Sequence, residues 1–189
     1  MNLFVDFDGV ITNSVAAYCD AYNTINYEKD NFVPADYALV NRYDLSDQCP
    51  LVNTQDKVRE IFASYEFWTW LTFMDGAKET LKMLSDKFNV IICSIGTNIN
   101  LSRKAKWIDR YLPFINSCVL INNANNFMDK SIVNMSDGIL IDDVASNLTS
   151  SNAKHKICFG KIYPWNENLP EGYLRAKNWI EVEKIIGEI

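Results

Sequence analysis

Short apolar runs at 3–5, 90–93, 119–121, 139–141 and 157–159 punctuate the chain, and helical periodicity follows at 77–84, 101–111 and 179–186. Apolar runs of strand length alternating with amphipathic helices predict an α/β fold, a parallel sheet flanked by helices. One interval breaks the rhythm. The stretch of about sixty residues between the first run and the helix at Ala77 is too long for an ordinary loop. Within it, 15–25 and 55–65 carry helical spacing, joined by a connection rich in Pro, Asp and Asn at 33–50. The expectation is a core formed by 1–14 and 73–189, with a small helical cap at 15–72 inserted after the first strand.

A chain of 189 residues suffices for one buried core with such an insertion. No apolar stretch approaches the roughly 18 residues a membrane span requires. The start, Met1-Asn2-Leu3-Phe4-Val5-Asp6, lacks a basic n-region and a long apolar segment, so a cytoplasmic protein is expected. The net charge of −6 and the absence of a basic patch argue against a nucleic-acid polymer as partner. A small anion remains open, because a few local cations and a metal can reverse the field inside one cleft. A homodimer is compatible with everything above. The five cysteines show no CxxC spacing and read as reduced thiols, mostly core filler: Cys93, Cys118 and Cys158 in apolar runs, Cys19 and Cys49 in the insertion.

Candidate chemistry gathers at the ends of the apolar runs. Phe4-Val5-Asp6-Phe7-Asp8-Gly9 ends a strand in two acids separated by one residue. In extended chain, side chains two apart share a face, roughly 6–7 Å from each other, so both carboxylates can address one group where open α/β sheets bind ligands. Gly9 would let the backbone turn and approach that group closely. Gly138-Ile139-Leu140-Ile141-Asp142-Asp143 is a second strand ending in acids. Acids on neighbouring strand ends repel unless a positive charge lies between them, and hard oxygen donors suit Mg²⁺. The inferred ligands are Asp6 and Asp142, with Asp143 nearby; Asp143 could instead cap the following helix. Ser94, closing the strand at 90–93, offers a hydroxyl followed by the Ile95 backbone N–H, and Lys130 offers a point charge, together able to hold phosphate oxygens. The single histidine, His155, lies away from these motifs in sequence and reads as structural or exposed.

The order of these groups, acid-x-acid, hydroxyl, lysine, paired acids, resembles the four motifs of the haloacid dehalogenase superfamily across the whole core. Within that superfamily the resemblance is closest to the 5′(3′)-deoxyribonucleotidases. It rests on Asp6-Phe7-Asp8-Gly9-Val10, Ile92-Cys93-Ser94, Asp129-Lys130-Ser131-Ile132-Val133 and Leu140-Ile141-Asp142-Asp143, and on Arg175 to Trp179 ahead of a final helix.

The resemblance implies a magnesium-dependent phosphomonoesterase acting on (deoxy)nucleoside monophosphates through an aspartyl-phosphate. Asp6 would be the nucleophile and Asp8 the general acid and base. Mg²⁺ would be bound by Asp6, the Asp8 carbonyl and Asp142, with Ser94 and Lys130 on the phosphate. Phe62 aligns with an aromatic of that family's base pocket, and Tyr43 falls near a second; Phe67, Trp68 and Trp70 could equally fill the cap's own core. Two departures bear on substrate choice: Ser14 stands where those enzymes carry an aromatic, and Ile95-Gly96-Thr97 replaces their Ser-Pro pair. Alternatives are a related phosphatase for another small phosphomonoester such as a sugar phosphate, a phosphoacceptor signalling domain, and a non-catalytic relative.

Overall fold

A computed structural model describes residues 1–123 and 129–189. Its strands are β1 (Asn2–Val5), β2 (Asn89–Gly96), β3 (Ser117–Asn122), β4 (Ile139–Asp142), β5 (His155–Phe159) and β6 (Leu174–Ala176). They form one sheet in the order β3-β2-β1-β4-β5-β6, parallel at every pairing. The expected α/β class is thereby observed. β1 is central: Phe4 is level with Ile91 of β2 on one side and Leu140 of β4 on the other. Successive connections run outward from β1 in one direction and from β4 in the other. The C-terminal ends of β1 and β4 therefore flank the point where strand order reverses, and a crevice opens there.

Helices α1 (Ser14–Asn26), α2 (Gln55–Ala63) and α3 (Tyr65–Trp70) lie between β1 and α4 (Ala77–Ser85). α5 (Asn98–Tyr111) follows β2, α6 (Ala145–Ser150) follows β4, and α7 (Trp179–Glu188) closes the fold. The chain departs and returns side by side, Asn13 N donating to Thr72 O at 3.0 Å and Met74 N to Ile11 O at 2.9 Å. The insertion nonetheless shares the core of the sheet. Leu3 and Val5 point to the same hydrophobic cluster as Tyr18, Tyr22, Phe67, Trp107 and Trp179, whereas Phe4 points to the opposite face with Cys93, Leu140 and Cys158. This is the two-residue alternation of a strand buried on both sides.

Several expectations need correction. The single helix at 55–65 is two, because Ser64 leaves the helical conformation and its hydroxyl caps α3, accepting from Phe67 N at 3.1 Å. β2 does not close at Ser94 but continues to Gly96, held by pairing with β3. β6 escaped notice because it is a three-residue edge strand, too short for periodicity to register, and α6, expected only as a helix from Val144 capped by Asp143, begins one residue later and runs a polar turn and a half. Cys118 is exposed, on the edge strand β3, while the other four thiols are buried and all five are free. His155 is half-buried at the start of β5. No helix among the described residues is long and apolar enough to cross a membrane.

Candidate active site

The loop after β1 sets the geometry. Phe7 O accepts from Ile11 N, Thr12 N and the Thr12 hydroxyl at 3.2, 3.0 and 3.0 Å, so the chain folds back immediately after Asp6. Trp179 anchors this loop from below, donating from Nε1 to Val10 O at 3.0 Å. Gly9 has φ of +71°, and a Cβ there would stand 2.6 Å from Asp143 Oδ2. Only glycine both adopts that conformation readily and leaves room for the carboxylate.

Asp6 and Asp142 close adjacent strand ends and are joined by Lys130, whose ammonium donates to Asp6 Oδ1 at 2.6 Å and to Asp142 Oδ2 at 2.5 Å. Lys130 and Asp142 are fully buried beneath the crevice. Asp142 Oδ1 is held from the other side by Val144 N at 2.9 Å and Asn147 Nδ2 at 3.1 Å. Asp143 does not cap α6: Val144 occupies that position, with no side-chain cap. The Asp143 backbone carbonyl instead accepts from Asn166 Nδ2 at 3.0 Å.

Asp8 has a cation of its own, which the sequence reading missed. Lys104 is fully buried, donates to Asp8 Oδ2, to Ser94 Oγ at 2.8 Å and to Ile95 O at 3.3 Å, and lies 5.3 Å from the centroid of Phe7. A signal was present: Leu101, Lys104, Trp107 and Ile108 share the buried face of α5, and a lysine in an apolar stripe needs a partner.

Burial and mutual repulsion shape the electrostatics. Burial raises the Asp8 carboxyl above the usual range, with Lys104 opposing and Asp6 adding to the rise. Burial, opposed by Lys130, pushes Asp142 up to about 6. Asp143 is raised well above the usual carboxylate range by burial and by the charges of Asp142, Asp6 and Asp8. Burial alone would favour a neutral Lys130, yet Asp142 and Asp6 outweigh it and hold the ammonium.

Oxygens of Asp6, Asp142 and Asp143 lie within 4.8 Å of one another. Three hard donors, two of them resisting ionisation through burial and mutual repulsion, fit a small divalent cation, which would hold all three as carboxylates. Among the described residues, Asp8 Oδ1 is buried without a hydrogen-bond partner.

The crevice has a volume of about 310 Å³. It brings together Asp6, Asp8, Ser94, Ile95, Asp143, Phe62 from α2 and Tyr43 from the connection before it, with Lys130 and Asp142 underneath. Ser14 lines it too. Phe62 packs against Tyr18 and Phe67 at 4.9 and 5.0 Å between centroids. Of the other insertion aromatics, Phe67 is fully buried and Trp70 is exposed, its indole donating to Thr24 Oγ1 at 3.2 Å.

A family described as 5′ nucleotidase, deoxy (pyrimidine), cytosolic type C protein matches residues 1–189. A 5′(3′)-deoxyribonucleotidase of Bacillus subtilis (strain 168) is 33% identical over 124 residues, 64% of this chain and 65% of that protein. One from Bacillus phage SPbeta matches to the same extent. The match thus spans about 65% of the length of these relatives. Among solved structures, a HAD-hydrolase from Bacillus subtilis bound to magnesium superposes with a TM-score of 0.65 at 14% identity, covering 98% of this chain and 97% of that one. A HAD family hydrolase from Deinococcus radiodurans R1 with bound phosphate and sodium gives 0.63 at 13%, covering 99% and 95%. At such identities the superpositions speak for the fold alone.

Proposed function

Since the chain belongs to the cytosolic type C deoxynucleotidase family, we propose that it is a magnesium-dependent phosphomonoesterase releasing phosphate from (deoxy)nucleoside monophosphates, with residues 15–72 as its cap. The observation that carries this reading is the pairing of two buried lysines with two acids two residues apart: Lys130 on Asp6 and Lys104 on Asp8. The two acids thereby have different surroundings, as a nucleophile and a proton carrier require.

Asp6 attacks phosphorus as the ester P–O bond breaks. Asp8, which burial keeps in its protonated form more than an exposed acid would be, gives its proton to the departing oxygen. The products of this half are an alcohol and an aspartyl-phosphate. Water then attacks that phosphorus, Asp8 takes the water's proton, and cleavage of the acyl phosphate frees phosphate and restores the Asp6 carboxylate. Lys104 offsets the charge Asp8 carries between the two halves, and Lys130 offsets that of Asp6. When bound, Mg²⁺ would be held by Asp6, Asp142 and the Asp8 carbonyl, with Asp143 beside it, and would neutralise charge on the phosphoryl oxygens. Ser94 and the Ile95 backbone N–H, both at the crevice, would contact those oxygens. Phe62 and Tyr43 supply flat apolar surface for a base.

The test is phosphate release across nucleoside monophosphates and sugar phosphates, with Mg²⁺ and with chelator. We expect metal-dependent turnover that favours nucleotides; equal or faster hydrolysis of sugar phosphates sinks the nucleotide assignment. Asp6→Asn should lower kcat by more than about 10⁴-fold with the circular dichroism spectrum unchanged, and retained turnover removes Asp6 as nucleophile.

A further inference from the structure

Where β2 runs into α5, the chain carries a polar group that the mechanism above does not use. Asn100 stands in the first turn of α5, where Thr97 caps the helix, its hydroxyl accepting from Asn100 N at 3.4 Å. It lines the crevice together with Ser94, Ile95, Gly96 and Thr97, and only 6% of its surface is exposed. Lys104, one turn further on, shares the buried face of the helix and donates to Ser94 Oγ at 2.8 Å. Asn100 and the expected phosphate contact therefore belong to one wall.

The side chain is unpaired but not sealed. Its amide makes no hydrogen bond among the described residues, although a side chain at this third helical position often reaches back to the capping residue's N–H. Among the described residues, the unpaired side-chain atoms closed off from solvent are Asp8 Oδ1, the Tyr18 and Tyr22 hydroxyls and Trp165 Nε1. The Asn100 amide is not one of them. Its oxygen and nitrogen thus keep surface that a water molecule touches, and a ligand oxygen of the same size reaches it too. For a side chain otherwise buried, that surface opens onto the crevice it lines.

The space is built for this amide. A Cβ at Gly96 would stand 2.5 Å from Asn100 Oδ1 and 3.2 Å from Leu101 Cδ2. Gly96 closes β2 without a left-handed φ, so its backbone does not require glycine; the carboxamide takes up the room. With the oxygen turned toward Gly96, the nitrogen is the farther branch and the free donor. Leu101 N bonds Thr97 O at 2.8 Å, and Arg103 donates to Ser64 O at 3.0 Å, which fixes α5 to the insertion. The start of a 14-residue helix adds partial positive charge beside the amide.

We propose that Asn100 is a phosphate-binding residue of this enzyme, its Nδ2–H donating to a phosphoryl oxygen beside those expected on Ser94 and the Ile95 N–H. The proposal rests on the phosphomonoesterase reading, which supplies the anion. The two buried lysines are already engaged with Asp6, Asp8 and Asp142, so the phosphate needs donors other than these.

The experiment compares kcat/KM of wild type and Asn100→Ala, with Mg²⁺, on a nucleoside 5′-monophosphate, 2-deoxyribose 5-phosphate and phenyl phosphate, together with competitive inhibition by inorganic phosphate. A hydrogen bond to a charged group corresponds to roughly a ten- to hundredfold effect. We expect a fall of that size shared by every ester that wild type hydrolyses, and an inhibition constant for inorganic phosphate raised alike. A fall confined to the nucleotide moves the contact to the nucleoside and overturns the proposal. Unchanged values overturn it and leave the phosphomonoesterase reading standing, whereas wild-type protein that releases phosphate from none of the three overturns both. Gly96→Ala approaches the same amide from outside: its methyl displaces the carboxamide, so it should reproduce the loss in wild type yet cost little more in Asn100→Ala. Additive losses overturn the proposal. Independently of any variant, the Asn100 side-chain amide resonance of the wild-type protein should move downfield on titration with inorganic phosphate in Mg²⁺; a resonance that stays in place overturns the proposal even where Asn100→Ala folds poorly.

Discussion

Lys104, itself buried in the middle of α5, forms an ion pair with the half-buried Asp8 in the loop after β1, and the same ammonium holds Ser94 Oγ at 2.8 Å. One lysine thus links the proposed proton carrier to the proposed phosphate contact, and its charge opposes the upward push of burial on Asp8.

Replacing Lys104 by Met should therefore raise the Asp8 pKa further, since the cation favouring the carboxylate is gone. Breakdown of the acyl phosphate needs that carboxylate as base, so the acidic limb of the kcat profile should move to higher pH, with a loss of about 10²-fold near neutrality. The pH–rate profile checks this; a limb in the wild-type position would mean that Lys104 does not act through Asp8.

Lys130 is the sole cation bonded to both Asp6 and Asp142 among the described residues. Lys130→Met leaves two strand-end acids uncompensated, and removing one partner of a buried ion pair typically costs about 3–5 kcal/mol. Urea denaturation measures the loss. Added Mg²⁺ should raise the melting temperature of the variant more than that of wild type, because it restores the missing charge; equal gains would place the cation elsewhere.

A pH dependence of stability follows from Asp142. Its folded pKa of about 6 lies above the ordinary 3.8, so the folded chain binds the extra proton between those values. Stability in chelator should accordingly decline as pH rises from about 4 to about 6, the slope being set by the excess of protons on the native state. Asp143, raised in the same sense, extends the decline upward. Saturating Mg²⁺ should flatten it by favouring the carboxylates, and denaturation midpoints across this range with and without metal test both parts.

Gly9→Ala puts a methyl 2.6 Å from Asp143 Oδ2 at a φ of +71°. Left-handed backbone costs a non-glycine residue about 1–2 kcal/mol, and the carboxylate must move as well. We expect that loss in urea unfolding together with weaker Mg²⁺ activation, read as a higher metal concentration for half-maximal turnover. A variant with wild-type metal dependence would show that Asp143 can shift without consequence.

The architecture was legible in the chain because each central strand is a short apolar run ending in a turn or an acid, a local pattern that burial on both faces imposes. The acids at 6, 8, 142 and 143 were legible for the same reason: they sit where apolar runs stop. Helix 55–65 was misjudged at Ser64, since a serine that caps a new helix looks, in a periodic sequence, like one more polar position. Cys118 was misjudged because an apolar run does not reveal which strand of a sheet lies at its edge.

From its order of residues alone this protein was bound to place two pairs of acids at strand ends with a glycine turn between β1 and α1, for strand periodicity and backbone sterics act over neighbouring residues. Which cation serves which acid, and that the Asn100 amide opens onto the crevice, were decided only when the sheet assembled. Lys104, Lys130 and Asn166 meet their partners through contacts across the chain, and no local pattern encodes a charge's partner that packing brings from another strand.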